Sequence, residues 1–244
     1  MENWFKDWFS SEEYLNVYQH RDDEDATKLL ELILKQTNLT KQNSILDAAC
    51  GAGRHSIYLA SKGFNVFGFD LSKTLLAKAK ENARKRSVEN KFVCADLRNI
   101  CFRKNFDLII SLFTSFGYFK NDEENFRFIN TAYCLLNENG FYVLDFFNKN
   151  HLLANLITEN EKLIDGKIII EKRKVVNNRI IKEIQIKNDL EEQNFIESVR
   201  LYSKREIDRE FKKIGFTPVS VFGDYDGNNY DEQNSSRLIL FFKK

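Results

Sequence analysis

Histidine is scarce in this chain of 244 residues, and the three present, His20, His55 and His151, are too scattered to match any metal-ligand spacing. No zinc or iron site is expected. The four cysteines, Cys50, Cys94, Cys101 and Cys134, contain no C-x-x-C pair, which argues against both a disulfide framework and a redox motif and leaves them as reduced thiols. No apolar run is long enough to span a bilayer, and no basic segment followed by an apolar stretch opens the chain, so a cytoplasmic protein without membrane contact is expected. A net charge of +1 gives no field to attract a polyanion; the basic stretch 78–86 is interleaved with Glu81 and alanines and reads as a solvated helix face. Nucleic acid is therefore not an expected partner. What is abundant is phenylalanine: 22 residues, against 43% hydrophobic and 30% charged overall, describe a chain with a large aromatic core.

The informative stretch is Ser44-Ile-Leu-Asp-Ala-Ala-Cys-Gly-Ala-Gly-Arg-His-Ser56. A short apolar run ends in Asp47, small residues with Gly51 and Gly53 follow, and an amphipathic helix begins near Arg54. Strand, glycine turn and helix start bring backbone N–H groups close to a bound anionic group. A second apolar strand, Asn65-Val-Phe-Gly-Phe, ends in Asp70, where a βα nucleotide site places the carboxylate that holds ribose hydroxyls. A dinucleotide fingerprint requires a third glycine, and that position is Ser56; the acid before the turn, Asp47, would moreover repel a pyrophosphate and attract an α-amino group.

Asp47, Cys50, Gly51 and Gly53 resemble the D-x-x-x-G-x-G motif of class I S-adenosylmethionine-dependent methyltransferases. The resemblance extends to Asp70, to Ala95-Asp96-Leu97 after the third strand and to Phe106-Asp107-Leu-Ile-Ile-Ser111 in the fourth, covering roughly residues 43–147 and, more loosely, the C-terminal strand pair. It implies a Rossmann-like, doubly wound α/β fold with a mostly parallel seven-stranded sheet. It also implies S-adenosyl-L-methionine as cofactor, with Ala49, Leu71, Leu97, Ser111 and Phe113 joining the motif residues around it. Asp96 falls where the family contacts the adenine amino group, or else simply caps a turn with Asn99.

In chain order, 1–25 is aromatic and charged. Its rings either staple the N-terminus to the domain or form the family's lid, with Tyr18 and Arg21 near the methionine end of the cofactor. Tyr14 and Tyr18 lie one helical turn apart. Helices are expected at 25–36, 54–62, 71–86, 122–136 and from Ser203, and strands at 91–94, 106–113, 141–147, 219–222 and 238–242, the last antiparallel. Between residues 149 and 202 the period changes to alternation: runs 168–176 and 180–187 joined through Asn177-Asn178, then 195–201, form an inserted antiparallel meander within a single domain. Phe116, Gly117 and Tyr118, beyond the fourth strand, are candidates for an active-site floor or for ordinary packing. Phe147 and Asn148 sit at the mouth of the fifth strand. The loop Gly223 to Gly227 and the pair Ser236-Arg237 either shape a substrate pocket or lie on the surface.

Methyl transfer from a sulfonium needs alignment in a dry pocket rather than a dedicated catalytic residue. The aromatic set Tyr14, Tyr18, Phe116, Tyr118 and Phe147 would favour the charged sulfur. Family members that methylate exocyclic or amide nitrogens carry Asn/Asp-Pro-Pro-Tyr/Phe after the fourth strand. Here Ser111-Leu-Phe-Thr114 stands there, and Pro218 is the only proline. A small-molecule acceptor with a nitrogen or oxygen nucleophile is expected, handled by a monomer or homodimer. The alternatives are a non-catalytic S-adenosylmethionine or S-adenosylhomocysteine binder and, against Ser56 and Asp47, an NAD-dependent oxidoreductase.

Overall fold

The computed structural model describes residues 4–18, 23–188 and 190–244. The chain opens with helices α1 (Trp4–Ser10), α2 (Glu12–Tyr18) and α3 (Asp23–Thr37). It then alternates as β1 (Ser44–Ala48), α4 (Arg54–Ser61), β2 (Asn65–Asp70), α5 (Lys73–Lys85), β3 (Lys91–Cys94), β4 (Phe106–Ser111), α6 (Asp122–Leu135) and β5 (Leu136–Phe147). Helix α7 (Lys149–Ala154) leads to strands β6 (Glu159–Ile164), β7 (Lys167–Val176), β8 (Arg179–Lys187) and β9 (Glu192–Arg200); α8 (Lys204–Ile214), β10 (Thr217–Phe222) and β11 (Arg237–Lys243) complete it.

Seven strands form one sheet in the order β10-β11-β5-β4-β1-β2-β3, parallel except for β11, which runs antiparallel to β5 and β10. The chain leaves β1 toward β2 and β3, then returns to lay β4 on the other side of β1. That reversal puts the carboxyl ends of β1 and β4 side by side, where open α/β sheets bind ligands. The central strands are apolar on both faces because both faces are covered. Ile45 joins Leu29, Leu30 and Ile33 of α3 in one layer, whereas its neighbour Leu46 joins Phe126 and Ile129 of α6 and Phe211 of α8 in the other.

The alternating region is a separate antiparallel sheet, β6-β7-β8-β9. Asn177 and Asn178 both adopt positive φ, 50° and 58°, the requirement of a tight two-residue hairpin turn. Its inner face, with Ile169, Ile184, Ile186 and Phe195, packs on Trp4, Phe5, Trp8 and Val17 of α1 and α2. The sequence pattern predicts three strands here, and the structure has four. β6, reading Glu-Asn-Glu-Lys-Leu-Ile, is a polar edge strand with only Ile164 buried, so it carries no apolar alternation to detect. The helix expected over 122–136 ends one residue early, as Leu136 turns extended and starts β5.

Helix α8 is fixed at both ends. Ser203 accepts from the Glu206 N–H while the Glu206 carboxylate accepts from the Ser203 N–H, and Gly215 closes it with φ 119°. Its Phe211 ring stacks on Phe242 at 4.0 Å. Removing the cap leaves helix donors unsatisfied, so Ser203→Ala is expected to cost about 1 kcal/mol, read as a lower denaturant midpoint with an unchanged m-value.

Candidate functional site

The turn after β1 is built from left-handed residues: Ala49, Gly51 and Gly53 have φ of 56°, 55° and 81°. It is tied to the neighbouring strand by Cys50 N–H donating to the Phe69 carbonyl at 2.9 Å. The glycines differ in role. A Cβ on Gly53 would stand 2.9 Å from Ala79 Cβ and 3.0 Å from the Phe92 ring, so this residue is a packing requirement under α5. A Cβ on Gly51 would meet nothing closer than Leu75 Cδ1 at 4.0 Å, so Gly51 faces open space. That space belongs to a cavity of about 1460 Å³, continuous along Tyr14, Ala49, Gly51 and Tyr118 with a smaller recess of about 70 Å³.

Asp70, at the end of β2, is buried on the recess wall and accepts from the Gly51 N–H at 2.9 Å and the Ser72 N–H at 2.8 Å. Burial raises its pKa against those two bonds. Leu71, Asp96 and Leu97 line the same recess, with Phe5 and Phe9 of α1 across from them. Asp96 holds Arg98 with both oxygens, at 3.0 Å and 2.7 Å, and also accepts from the Arg98 N–H at 2.9 Å. Its carbonyl accepts from Asn99 N–H at 3.0 Å, so the turn-capping geometry and the position on the recess coexist.

Asp47 is 1% exposed on the large cavity and accepts from the Ser56 hydroxyl at 2.6 Å. The residue standing where a third glycine would be thus secures the acid. Burial pushes the Asp47 pKa up to about 7, against the Ser56 bond and with the Asp70 charge adding to the rise.

Two further walls close the cavity. On one, the buried Asp145 carboxylate accepts from Arg237 Nε at 2.9 Å, from the Phe113 N–H at 2.9 Å and from the Tyr225 hydroxyl at 3.2 Å, and Arg237 Nη2 reaches Thr114 Oγ1 at 3.1 Å. These bonds hold Phe113 and Thr114 at φ of 51° and 67°, a conformation their side chains disfavour. On the other, Glu197 of β9 accepts from Trp8 Nε1 at 2.7 Å and the Tyr18 hydroxyl at 2.6 Å and pairs with Lys182 at 2.9 Å. Tyr18 also bonds Lys182. The inserted sheet and the N-terminal helices therefore form one wall.

Of the residues singled out from sequence, Tyr14, Tyr18, Asp47, Ala49, Cys50, Gly51, Phe113, Tyr118, Phe147 and Arg237 line the large cavity, and Asp70, Leu71, Asp96 and Leu97 the recess. Five do not reach either, among them Gly117, which packs on the backbone of Arg200. Gly53 lies beneath the turn. Ser111 is buried with its hydroxyl 2.7 Å from that of Tyr142. Phe116 is core, packed on Phe126, Phe146 and Tyr202 at centroid distances of 5.1, 5.6 and 5.2 Å. Asn148 caps α7 and bonds the carbonyls of Asp231 and Ser235, closing the loop rather than the site. Arg21 lies outside the described residues. Missed from sequence were Asp145, whose signal was a lone acid inside an apolar strand, and Glu197, which alternation alone does not distinguish from a surface residue.

Part of the chain is similar to known proteins. A family model described as a methyltransferase domain matches residues 45–140. That segment is similar to methyltransferase domains. The chain is 38% identical over 122 residues to a glycine/sarcosine N-methyltransferase of Halorhodospira halochloris, covering 49% of this chain and 44% of that protein. It is 30% identical over 100 residues to a dTDP-3-amino-3,4,6-trideoxy-alpha-D-glucopyranose N,N-dimethyltransferase of Streptomyces venezuelae, covering 41% and 40%. The chain thus spans less than half the length of these curated relatives. The fold extends further: the crystal structure of an S-adenosylmethionine-dependent methyltransferase from Clostridium acetobutylicum superposes with TM-score 0.83 over 95% of this chain and 97% of that one, at 19% identity. Among the described residues no helix is long and apolar enough to cross a membrane.

The Asp47 shift has a measurable consequence. The unfolded chain loses its proton near 3.8 and the folded one near 7, so folding stability falls as pH rises through that window, by roughly 4 kcal/mol. Asp47→Asn removes this cost. The ligand-free variant is expected to melt higher than wild type at pH 8, with the gap narrowing toward pH 5; a lower melting temperature at pH 8 would contradict the assignment.

Proposed function

We propose that this chain transfers a methyl group from S-adenosyl-L-methionine to a small-molecule acceptor through a nitrogen or oxygen nucleophile. The observation that carries the reading is the continuity of two spaces around one open glycine. Gly51 leaves room for a ligand at the turn, the recess holds the carboxylate of Asp70, and the larger cavity continues past the turn to the Arg237 wall. The residues present fit the cofactor. Asp70 keeps lone pairs for ribose hydroxyls beyond the two backbone bonds it accepts. Asp96 and Leu97 would hold adenine, Asp96 while still gripping Arg98. Asp47, Ala49, Cys50 and Gly51 would hold the aminoacyl end, where a buried carboxylate favours an ammonium.

S-adenosylmethionine, when bound, supplies a methyl carbon on a cationic sulfur and departs as a neutral thioether. The chain's own contribution is alignment. The rings of Tyr14 and Tyr118, on the walls shared by the two spaces, and of Phe147 in the large cavity favour a cation by about 0.5 to 2 kcal/mol, and Trp4, Phe9 and the inserted sheet would exclude water from the line of transfer. The cavity exceeds a single ligand's ordinary range of about 300 to 1,000 Å³, which supports a second molecule beside the cofactor. Relatives that act on glycine or an amino sugar favour an amine as acceptor.

Calorimetry with S-adenosylhomocysteine and a labelled-methyl assay over amines, amino sugars and hydroxy acids test the reading. Asp70→Ala is expected to weaken cofactor binding by about 1 to 3 kcal/mol. Gly51→Val, in left-handed backbone facing the ligand, is expected to abolish it while the protein remains folded. Binding without turnover on any acceptor would favour the non-catalytic alternative, and absence of binding in the wild type would end the proposal.

A further inference from the structure

The segment joining β4 to α6 runs along the wall of the site, and the inserted sheet grips its backbone. Gly117, at φ 87°, approaches β9 so closely that a Cβ would stand 2.8 Å from the Arg200 carbonyl, and its own carbonyl accepts from the Arg200 N–H at 2.8 Å. Arg179, the first residue of β8, completes the attachment. Its Nη1 donates to the Phe119 carbonyl at 2.9 Å, and its Nη2 donates to the carbonyls of Tyr118 at 3.2 Å, Gly117 at 3.3 Å and Ser198 at 2.8 Å. Its Nε donates to the Ser198 hydroxyl at 2.9 Å. Among the described residues no carboxylate pairs with it, so the guanidinium is spent on backbone carbonyls and one hydroxyl. Three consecutive carbonyls, those of residues 117–119, turn toward one side chain, an arrangement that the planar fork of arginine satisfies and a lysine ammonium does not.

The side chain displayed by this held segment is Tyr118. Its ring lines both the large cavity and the recess, and packs on Trp4 at 5.4 Å and Phe9 at 5.5 Å between centroids. We propose that Arg179 is a positioning residue for the cofactor site. By fixing the carbonyls of residues 117–119 it sets the Tyr118 ring at the junction of the two spaces, so that the inserted sheet governs affinity for the adenosyl ligand. This rests on the methyltransferase reading above, and the test separates the two.

Arg179→Met, Arg179→Lys, Tyr118→Leu and the double variant Arg179→Met/Tyr118→Leu are compared by calorimetry with S-adenosylhomocysteine, by melting temperature and by tryptophan emission. Trp4 and Trp8 are the only tryptophans, so emission reports on the Tyr118 contact without any ligand. Arg179→Met is expected to weaken binding tenfold or more, Arg179→Lys to recover only part of it, and the double variant to bind within twofold of the weaker single variant, because both changes act on one element. Ligand-free Arg179→Met is expected to emit at longer wavelength. Wild-type affinity in Arg179→Met, multiplicative losses in the double variant, or unchanged emission would overturn the proposal. A purely structural arginine would lower the melting temperature and leave the affinity of the folded protein alone. Should Arg179→Met not fold, Arg179→Lys and Ser198→Ala carry the same comparison. If the wild type itself fails to bind, the cofactor reading falls, and the emission arm still decides whether Arg179 sets Tyr118.

Discussion

The proposed site depends on one constraint: the turn after β1 must leave the space beside it open, without a side chain in the way, and it must stay there. Gly51 meets the first condition and Asp70 the second, since the Asp70 carboxylate accepts the Gly51 N–H at 2.9 Å. The same carboxylate accepts from Ser72, the residue that caps α5. One side chain at the end of β2 therefore fixes both the glycine turn and the start of the next helix. Beneath it Gly53 and Gly68 allow the packing that brings β1, β2 and α5 into contact, and the Cβ distances at both, 2.9 Å to the nearest neighbour, leave no slack. A turn so constrained loses little entropy when a ligand arrives.

The parts of the molecule outside the parallel sheet are organised to enclose this turn. Helices α1 and α2 would be short and marginal alone. They are held because their aromatic face covers the inner face of the inserted sheet, and because Trp8 and Tyr18 meet Glu197 in its interior. The inserted sheet likewise would expose Ile169, Ile184 and Phe195 without those helices. Each stabilises the other, and together they supply Tyr14, Glu197 and Val199 to the cavity. The wall opposite is built from a different device, in which Asp145 fixes Arg237, Tyr225 and the backbone of Phe113 in one set of bonds.

How legible the site was in the sequence follows from how local its determinants are. Asp47, Gly51 and Asp70 lie at the ends of consecutive strands, so strand, turn and helix signals place them without knowledge of the fold. Ser111 and Phe116 lie outside both cavities for a physical reason: β4 is buried on both faces, so nothing in its apolar run distinguishes the side that meets the cavity, and Phe116 reads like Tyr118 two positions later. Asn148 sits at a strand mouth but turns into the loop 231–235. Arg237 was visible as a residue near a strand end, yet its role requires the antiparallel register that sets it opposite Phe147 and so within reach of Asp145. Arg179 and Glu197 depend on how a separate sheet docks, which alternation cannot encode. The charged edge strand β6 escaped for the complementary reason, since its polarity protects an edge and erases the pattern that identifies strands.

Four acids stand around the cavities, Asp47, Asp70 and Asp145 buried and Glu197 partly buried, and their partners differ in a way that bears on function. Asp145 has Arg237, and Glu197 has Lys182, so each of these charges is compensated within the chain. Asp47 and Asp70 rely on a hydroxyl and on backbone N–H groups, and among the described residues neither pairs with a cationic side chain. Burial raises the pKa of both, which means that the folded protein holds them at a cost in their ionised form. A neutral ligand would leave that cost in place. A ligand carrying positive charge lowers it on binding, and the gain is larger in a dry pocket than in water. The cost held in these two acids is thus a source of selectivity at this turn: it disfavours a pyrophosphate and favours a ligand that carries an ammonium.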